Sequence, residues 1–199
     1  MTNLQEDSST DQAERKSARF VPGQPDMWVF VLFESLLFTG YFSVYLIGRI
    51  QNRELYLQSQ ADLDLRFGIF NTIALLLSSW AIARCVQASR EGMYRDALRD
   101  AFLTIGFGVA FLVSKVIEWV TEIRMGNTFT SSEFFQHFFF LTSIHLIHLL
   151  IGFIVMGVAI YQLWSPARRS QQLVETCATY WHTVDFLWVL IFALLYVVR

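Results

Sequence analysis

Apolar residues in this chain fall into five long blocks, unlike the short alternating runs of a soluble domain. The blocks over residues 27–47, 67–87, 101–120, 138–163 and 179–198 are mostly apolar. Each is about 20 residues long, the length a helix rising ~1.5 Å per residue needs to cross a ~30 Å hydrocarbon layer. Pro22, Pro25 and Pro166 all lie outside the blocks, so no span needs a proline kink. The pattern predicts an all-α integral membrane bundle of five transmembrane helices within residues 27–199. Ahead of it, residues 1–26 read as a polar, mobile tail. That tail, "MTNLQEDSSTDQAERKSARFVPGQP", has no apolar centre and does not read as a cleavable signal peptide.

The connections leave no room for a soluble domain. In "QASREGMYRDALRD", Met93, Tyr94, Ala97 and Leu98 alternate with Arg90, Arg95 and Arg99, which predicts a short helical extension in the headgroup layer. The three arginines are candidates to hold lipid phosphates, or they serve only to fix topology. In "EIRMGNTFTSSEFFQH", Gly126 and Asn127 are turn residues and the Ser131-Ser132-Glu133 cluster offers a helix cap.

Charge then sets orientation. An inward N-terminus gives the cytoplasmic side nine basic residues: Arg15, Lys16, Arg19, Arg84, Arg90, Arg95, Arg99, Arg168 and Arg169. The opposite side receives five: Arg49, Arg53, Arg66, Arg124 and Arg199. The bias favours a cytoplasmic N-terminus and an outside C-terminus. Cys85 and Cys177 then lie near the cytoplasmic face, where disulfides rarely persist. A net charge of −2 with no basic tract argues against nucleic acid as a partner.

The candidate chemistry lies in polar residues within apolar blocks: Glu34, Lys115, Glu118, His145, His148, His182 and Asp185. One unpaired Asp or Lys at a helix centre costs about 2.5–3.5 kcal/mol, so these groups are expected to meet one another inside the bundle. Lys115/Glu118, His145/His148 and His182/Asp185 are spaced i,i+3 and share helix faces. Depths counted from the block ends suggest two polar layers. The inner layer joins Glu34 to His182 and Asp185. The outer layer joins Lys115 and Glu118 to His145 and His148. Three chemistries fit these residues: a structural or proton-linked network, haem ligation by His145 or His148 with His182, and a metal site on HxxH and HxxD. With four histidines in the chain, one of them (His137) at a helix end, a multi-histidine oxidase centre is excluded. Trp28, Trp119, Trp164 and Trp181 read as an aromatic belt. Gly106, Gly108, Gly152 and Gly157 read as points of close helix approach.

The same residues carry a resemblance. "ETCATYWHTVDFLWVLIFALLYVV" resembles the closing helix of subunit III of the haem–copper oxidases, through Glu175, Tyr180, Trp181, His182, Val184, Asp185 and Trp188. "FFLTSIHLIHLLIGF" is similar to that family's preceding helix through Thr142, His145, His148 and Gly152, with Ser143 where a glycine is usual. "FLVSKVIEW" matches through Phe111, Leu112, Lys115, Glu118 and Trp119, and "MWVFVLFESLLF" through Glu34 at the family's membrane carboxylate. "FNTIALLLSS" matches through Asn71, Thr72 and Ser79.

Long members of this family have seven helices, the first two splayed away by a lipid-filled cleft. This chain resembles the short five-helix form of quinol oxidases and of the E-type accessory proteins of nitric oxide reductase. The resemblance implies a non-catalytic subunit of a bacterial-type inner membrane, binding no cofactor itself. Its expected partners are phospholipid and a catalytic subunit I that carries haem and copper, whose durability and proton uptake it supports. Glu34 is the residue expected to take part in proton delivery. The alternative from another class is a self-sufficient haem or metal protein using His145, His148 and His182. A small transporter is a third possibility, but the internal repeat usual in such folds is not visible.

Overall fold

A computed structural model describes residues 25–166 and 169–198. The tail residues Arg15, Lys16 and Arg19, together with Arg168 and Arg199, lie outside the described residues. Five long helices form the bundle: α1 (Pro25–Gln51), α3 (Leu65–Arg90), α4 (Tyr94–Arg124), α5 (Glu133–Trp164) and α6 (Gln171–Phe192). A short helix, α2 (Arg53–Asp62), sits between α1 and α3. The end of α6 widens into a π turn, Ala193–Val197. All five long helices are long and apolar enough to cross a membrane. The fold is the expected all-α membrane bundle.

The local sequence accounts for the helix ends. Pro25 opens α1, where a residue with fixed φ and no N–H fits the first turn. Asp64 caps α3 by accepting from the Arg66 N–H at 2.9 Å. Hydrogen bonds from the Arg66 side chain hold the Asp64 carboxyl below the usual carboxylate range. Ser132 caps α5 and Ser170 caps α6, each accepting from the N–H three residues on. Gly92 (φ 75°) and Gly126 (φ 93°) take left-handed backbone just beyond α3 and α4, where a side chain would be strained.

Every long helix begins before its apolar block, and the first four also end after theirs. α4 begins at Tyr94, so "YRDALRD" forms the opening turns of the third span, with no separate surface helix. α6 begins eight residues before the expected Thr179, and α5 five before Phe138. Hydropathy marks only the hydrocarbon-embedded middle of a helix, while the backbone ladder continues through polar turns toward the headgroups. The polar helix α2 was not expected. It closes one end of the bundle: Asn52, just ahead of it, bonds Glu133 (2.9 Å), Ser59 meets Ser132 (3.3 Å), and Gln60 donates to the Val198 carbonyl (3.0 Å).

α6 is the central helix. It packs against α5, α3 and α1, and α3 and α4 form the longest pair. Half of the apolar window of α6 is buried, against 17% of that of α1, whose Leu32, Phe33 and Leu36 face outward. Trp181 lies in the core, not in a surface belt, with its ring between two glycines. A Cβ at Gly108 would come within 3.1 Å of that ring and 2.8 Å of Phe153, and one at Gly152 within 3.1 Å of Trp181. Gly106 and Gly157, expected to do the same, have nothing within 4 Å of where a Cβ would stand.

This difference predicts opposite outcomes for two similar substitutions. Gly108→Ala should destabilise by about 1–2 kcal/mol, because the packed rings must shift. Gly106→Ala should be neutral or stabilising by up to about 1 kcal/mol through helix propensity. Unfolding of the purified chain in lipid nanodiscs measures both; equal effects would remove the claim of close approach at Trp181.

Candidate functional site: the buried polar side chains

Polar side chains meet at three levels of the bundle. Nearest the α2 end, Lys115 and Glu118 stand one turn apart on α4, and Tyr196 reaches them from the end of α6. The Lys115 ammonium donates to Glu118 Oε2 (2.8 Å) and to the Tyr196 hydroxyl (2.9 Å). Tyr196 in turn donates to Glu118 Oε1 at 2.5 Å. The three groups close a ring of charge-assisted hydrogen bonds. Lys115 and Glu118 are each only 1% exposed. Aromatic faces surround the ammonium, with Phe138 at 4.6 Å and Trp188 at 5.0 Å from its nitrogen. One turn further along α4, Glu122 is also buried and accepts from Asn127 at 2.8 Å.

The middle level is aromatic with polar groups set into it. Trp188 stands edge-on to Phe111 at 4.7 Å, and the His145 ring packs against both, 5.2 Å from Trp188 and 5.4 Å from Phe111. Neither His145 nitrogen has a protein hydrogen-bond partner, and the same holds for both Asp185 oxygens and the Asn71 amide. Trp188 donates to Thr72 (3.1 Å) and Trp181 to Ser78 (2.9 Å). His182 Nδ1 meets the Ser79 hydroxyl at 2.7 Å.

The third level pairs α1 with α5. Glu34 Oε2 lies 3.2 Å from His148 Nε2, while His148 Nδ1 lies 2.9 Å from the Ile144 carbonyl. A carbonyl only accepts, so Nδ1 carries a hydrogen. The contact between Nε2 and the carboxyl then requires one further proton, held by either partner. At the headgroup end, Glu175 binds Arg90 (2.8 Å) and Gln171 (3.0 Å). Asp100 lies 3.3 Å from Arg84 and 3.7 Å from Arg99.

These positions change the pairing expected from sequence. Glu34 meets His148, not His182 or Asp185. His145 stands apart from the Lys115 ring. Depth accounts for part of the difference. Because α5 and α6 start earlier than their apolar blocks, His145 and Asp185 lie about 18 and 21 Å from their own helix starts, near mid-bundle. Of the headgroup candidates, Arg90 is committed to Glu175 and Arg99 leans on Asp100, while Arg95 is exposed. Sequence reading missed Tyr196, although it lies eight residues after Trp188, on the same helix face. It also passed over the hydroxyls of Thr72, Ser78 and Ser79 as partners for the α6 indoles and imidazole. Among the described residues, no three His, Cys, Asp or Glu side chains are grouped as metal ligands would be.

Side chains that bind one another inside an apolar-walled bundle define a membrane protein whose polar groups fasten helices together. Comparison with known proteins places it further. The profile of the family described as cytochrome c oxidase subunit III matches residues 23–198. The chain belongs to that family. It is 29% identical over 172 residues to cytochrome c oxidase subunit 3 of Thermostichus vulcanus, covering 85% of this chain and 84% of that one. It is 25% identical over 172 residues to cytochrome bo(3) ubiquinol oxidase subunit 3 of Buchnera aphidicola, covering 85% and 83%. It is also 26% identical over 180 residues to the haem-copper oxidase subunit I+III of Aeropyrum pernix, covering 86% of this chain and 22% of that one.

The Lys115 ring yields a test by double substitution. Glu118→Leu alone should cost about 3–5 kcal/mol, because it strands a buried ammonium. Lys115→Met with Glu118→Leu should recover most of that loss. Detergent-induced unfolding of both proteins measures the coupling; equal losses in single and double variants would show that the pair does not interact.

Proposed function

We propose that this chain is a non-catalytic accessory subunit that packs against the catalytic subunit I of a haem–copper oxidase or nitric oxide reductase. The reading places it in the cell inner membrane with the N-terminus cytoplasmic. It prolongs the partner's active lifetime, holds phospholipid at its surface and supports proton uptake. Haem and copper belong to the partner. The family match carries the reading, and the relative named subunit I+III, where one polypeptide bears both names, supports a role beside subunit I. The histidines agree with this division of labour. His145 is boxed by aromatic rings, His148 is taken by Glu34 and His182 by Ser79. Arg95 and Arg99, exposed on the opening turns of α4, are the side chains this reading assigns to lipid phosphates.

Within this reading Glu34 is the residue most suited to proton delivery, since its contact with His148 already needs a shared proton. Solubilised native membranes should yield this chain with a haem–copper partner at fixed stoichiometry, and the gas the complex consumes, oxygen or nitric oxide, separates the two branches. Isolation of the chain with its own haem, read as a Soret band in the absence of any partner, would overturn the proposal. In the complex, Glu34→Gln should slow turnover or hasten inactivation several-fold while leaving the partner's haem spectrum unchanged. Unaltered turnover, lifetime and assembly in that variant would remove Glu34 from the mechanism.

A further inference from the structure

We propose that the centre of the bundle holds bound water shared by Asn71 on α3, His145 on α5 and Asp185 on α6. The three side chains are 0%, 1% and 5% exposed, and their six polar atoms have no protein hydrogen-bond partner. The Phe111–Trp188 pair relates their positions along the bundle. The His145 ring packs on both members of that pair. Asp185 precedes Trp188 by three residues, on the same buried face of α6. Asn71 adjoins Thr72, whose hydroxyl accepts from the Trp188 indole.

A buried polar group without a partner is costly, and three at one level would consume a large share of a typical domain's stability. Water removes that cost when two to four polar groups surround it. The set is suited to water, since the amide and imidazole both donate and accept and the carboxyl contributes acceptors. It is poorly suited to a hard cation, which takes an all-oxygen shell. The site lies between the Glu34–His148 pair and the Lys115 ring. Its water would join the two polar levels that the sequence placed apart. The inference concerns this chain alone and does not rest on the accessory-subunit reading.

The sign of a substitution effect decides the matter. Asn71→Leu, His145→Phe and Asp185→Leu each replace a polar group by an apolar one of similar size. With shared water, each single variant of the full chain in nanodiscs lowers the folding equilibrium constant about tenfold or more. The triple variant then loses far less than the product of the three, because the last substitution removes groups already stranded. If the site is dry, each substitution removes an orphaned polar group, so the singles are more stable than wild type and their effects multiply. That result overturns the proposal. A second measurement does not depend on the variants folding. Water-edited NMR of the wild-type chain should transfer magnetisation from water to the Asn71 side-chain amide, assigned by its loss in Asn71→Gln. An Asn71 amide that receives none overturns the proposal by itself.

Discussion

An ammonium, a carboxylate and a phenol that are almost wholly buried can remain there only while each answers the others. Lys115, Glu118 and Tyr196 do so within 2.5–2.9 Å. Hydrocarbon offers no competing hydrogen bonds, so a polar group inside the bundle finds a partner in the protein or in bound water, or costs several kcal/mol. That constraint selects which helix faces meet. The face of α4 bearing Lys115 and Glu118 has to turn toward α6 and α5, because Tyr196 and Trp188 lie on the first and Phe138 on the second. Once that face is fixed, Gly108, two turns earlier on α4, is brought against Trp181.

α6 carries the same logic along the rest of the bundle. Its residues meet α3 in antiparallel register: Glu175 with Arg90, Trp181 with Ser78, His182 with Ser79 and Trp188 with Thr72. Each contact sets a large side chain of α6 against a small or flexible partner. Serine and threonine suit that role in a membrane because they admit close backbones and still supply a hydroxyl. Bound to Ser78 and held between Gly108 and Gly152, Trp181 has little freedom to move, so α3, α4 and α5 are positioned around one indole.

The fold was legible because hydrocarbon thickness leaves so clear a mark on sequence: five apolar blocks gave five spans. Their ends were less legible, because polar turns such as "YRDALRD" remain helical after hydropathy has fallen. α2 left no such mark, being short and polar and held by tertiary contacts through Ser59 and Gln60. At the polar levels, i,i+3 spacing did bring Lys115 and Glu118 together, since both lie on one helix. Partners on different helices could not be found that way. Glu34 was assigned to α6 by depth alone, yet it meets His148, because rotation about the helix axis matters as much as depth and sequence records rotation only weakly. Tyr196 escaped notice because a tyrosine near a span end reads as an interfacial anchor.

The Glu34–His148 contact differs in kind from the Lys115 ring. The ring joins an ammonium, a carboxylate and a neutral phenol and is complete as it stands. The other contact joins a carboxyl to an imidazole whose Nδ1 hydrogen already serves the Ile144 carbonyl, so it holds only while one more proton is present. Without that proton, two lone pairs would face each other at 3.2 Å in a medium of low dielectric. The contact also fastens α1, the least buried of the five spans. Other ties on α1 lie toward its far end, where Tyr45 donates to the Leu194 carbonyl and Asn52, just beyond the helix, reaches Glu133. A proton-dependent hydrogen bond therefore helps to seat the N-terminal half of α1, beside the stacking of Phe30 on Tyr180 and the edge contact between Phe38 and the His148 ring. The seating of that half of α1 thus draws on a proton shared between Glu34 and His148, whereas the Lys115 ring at the opposite end of the bundle needs none beyond its own.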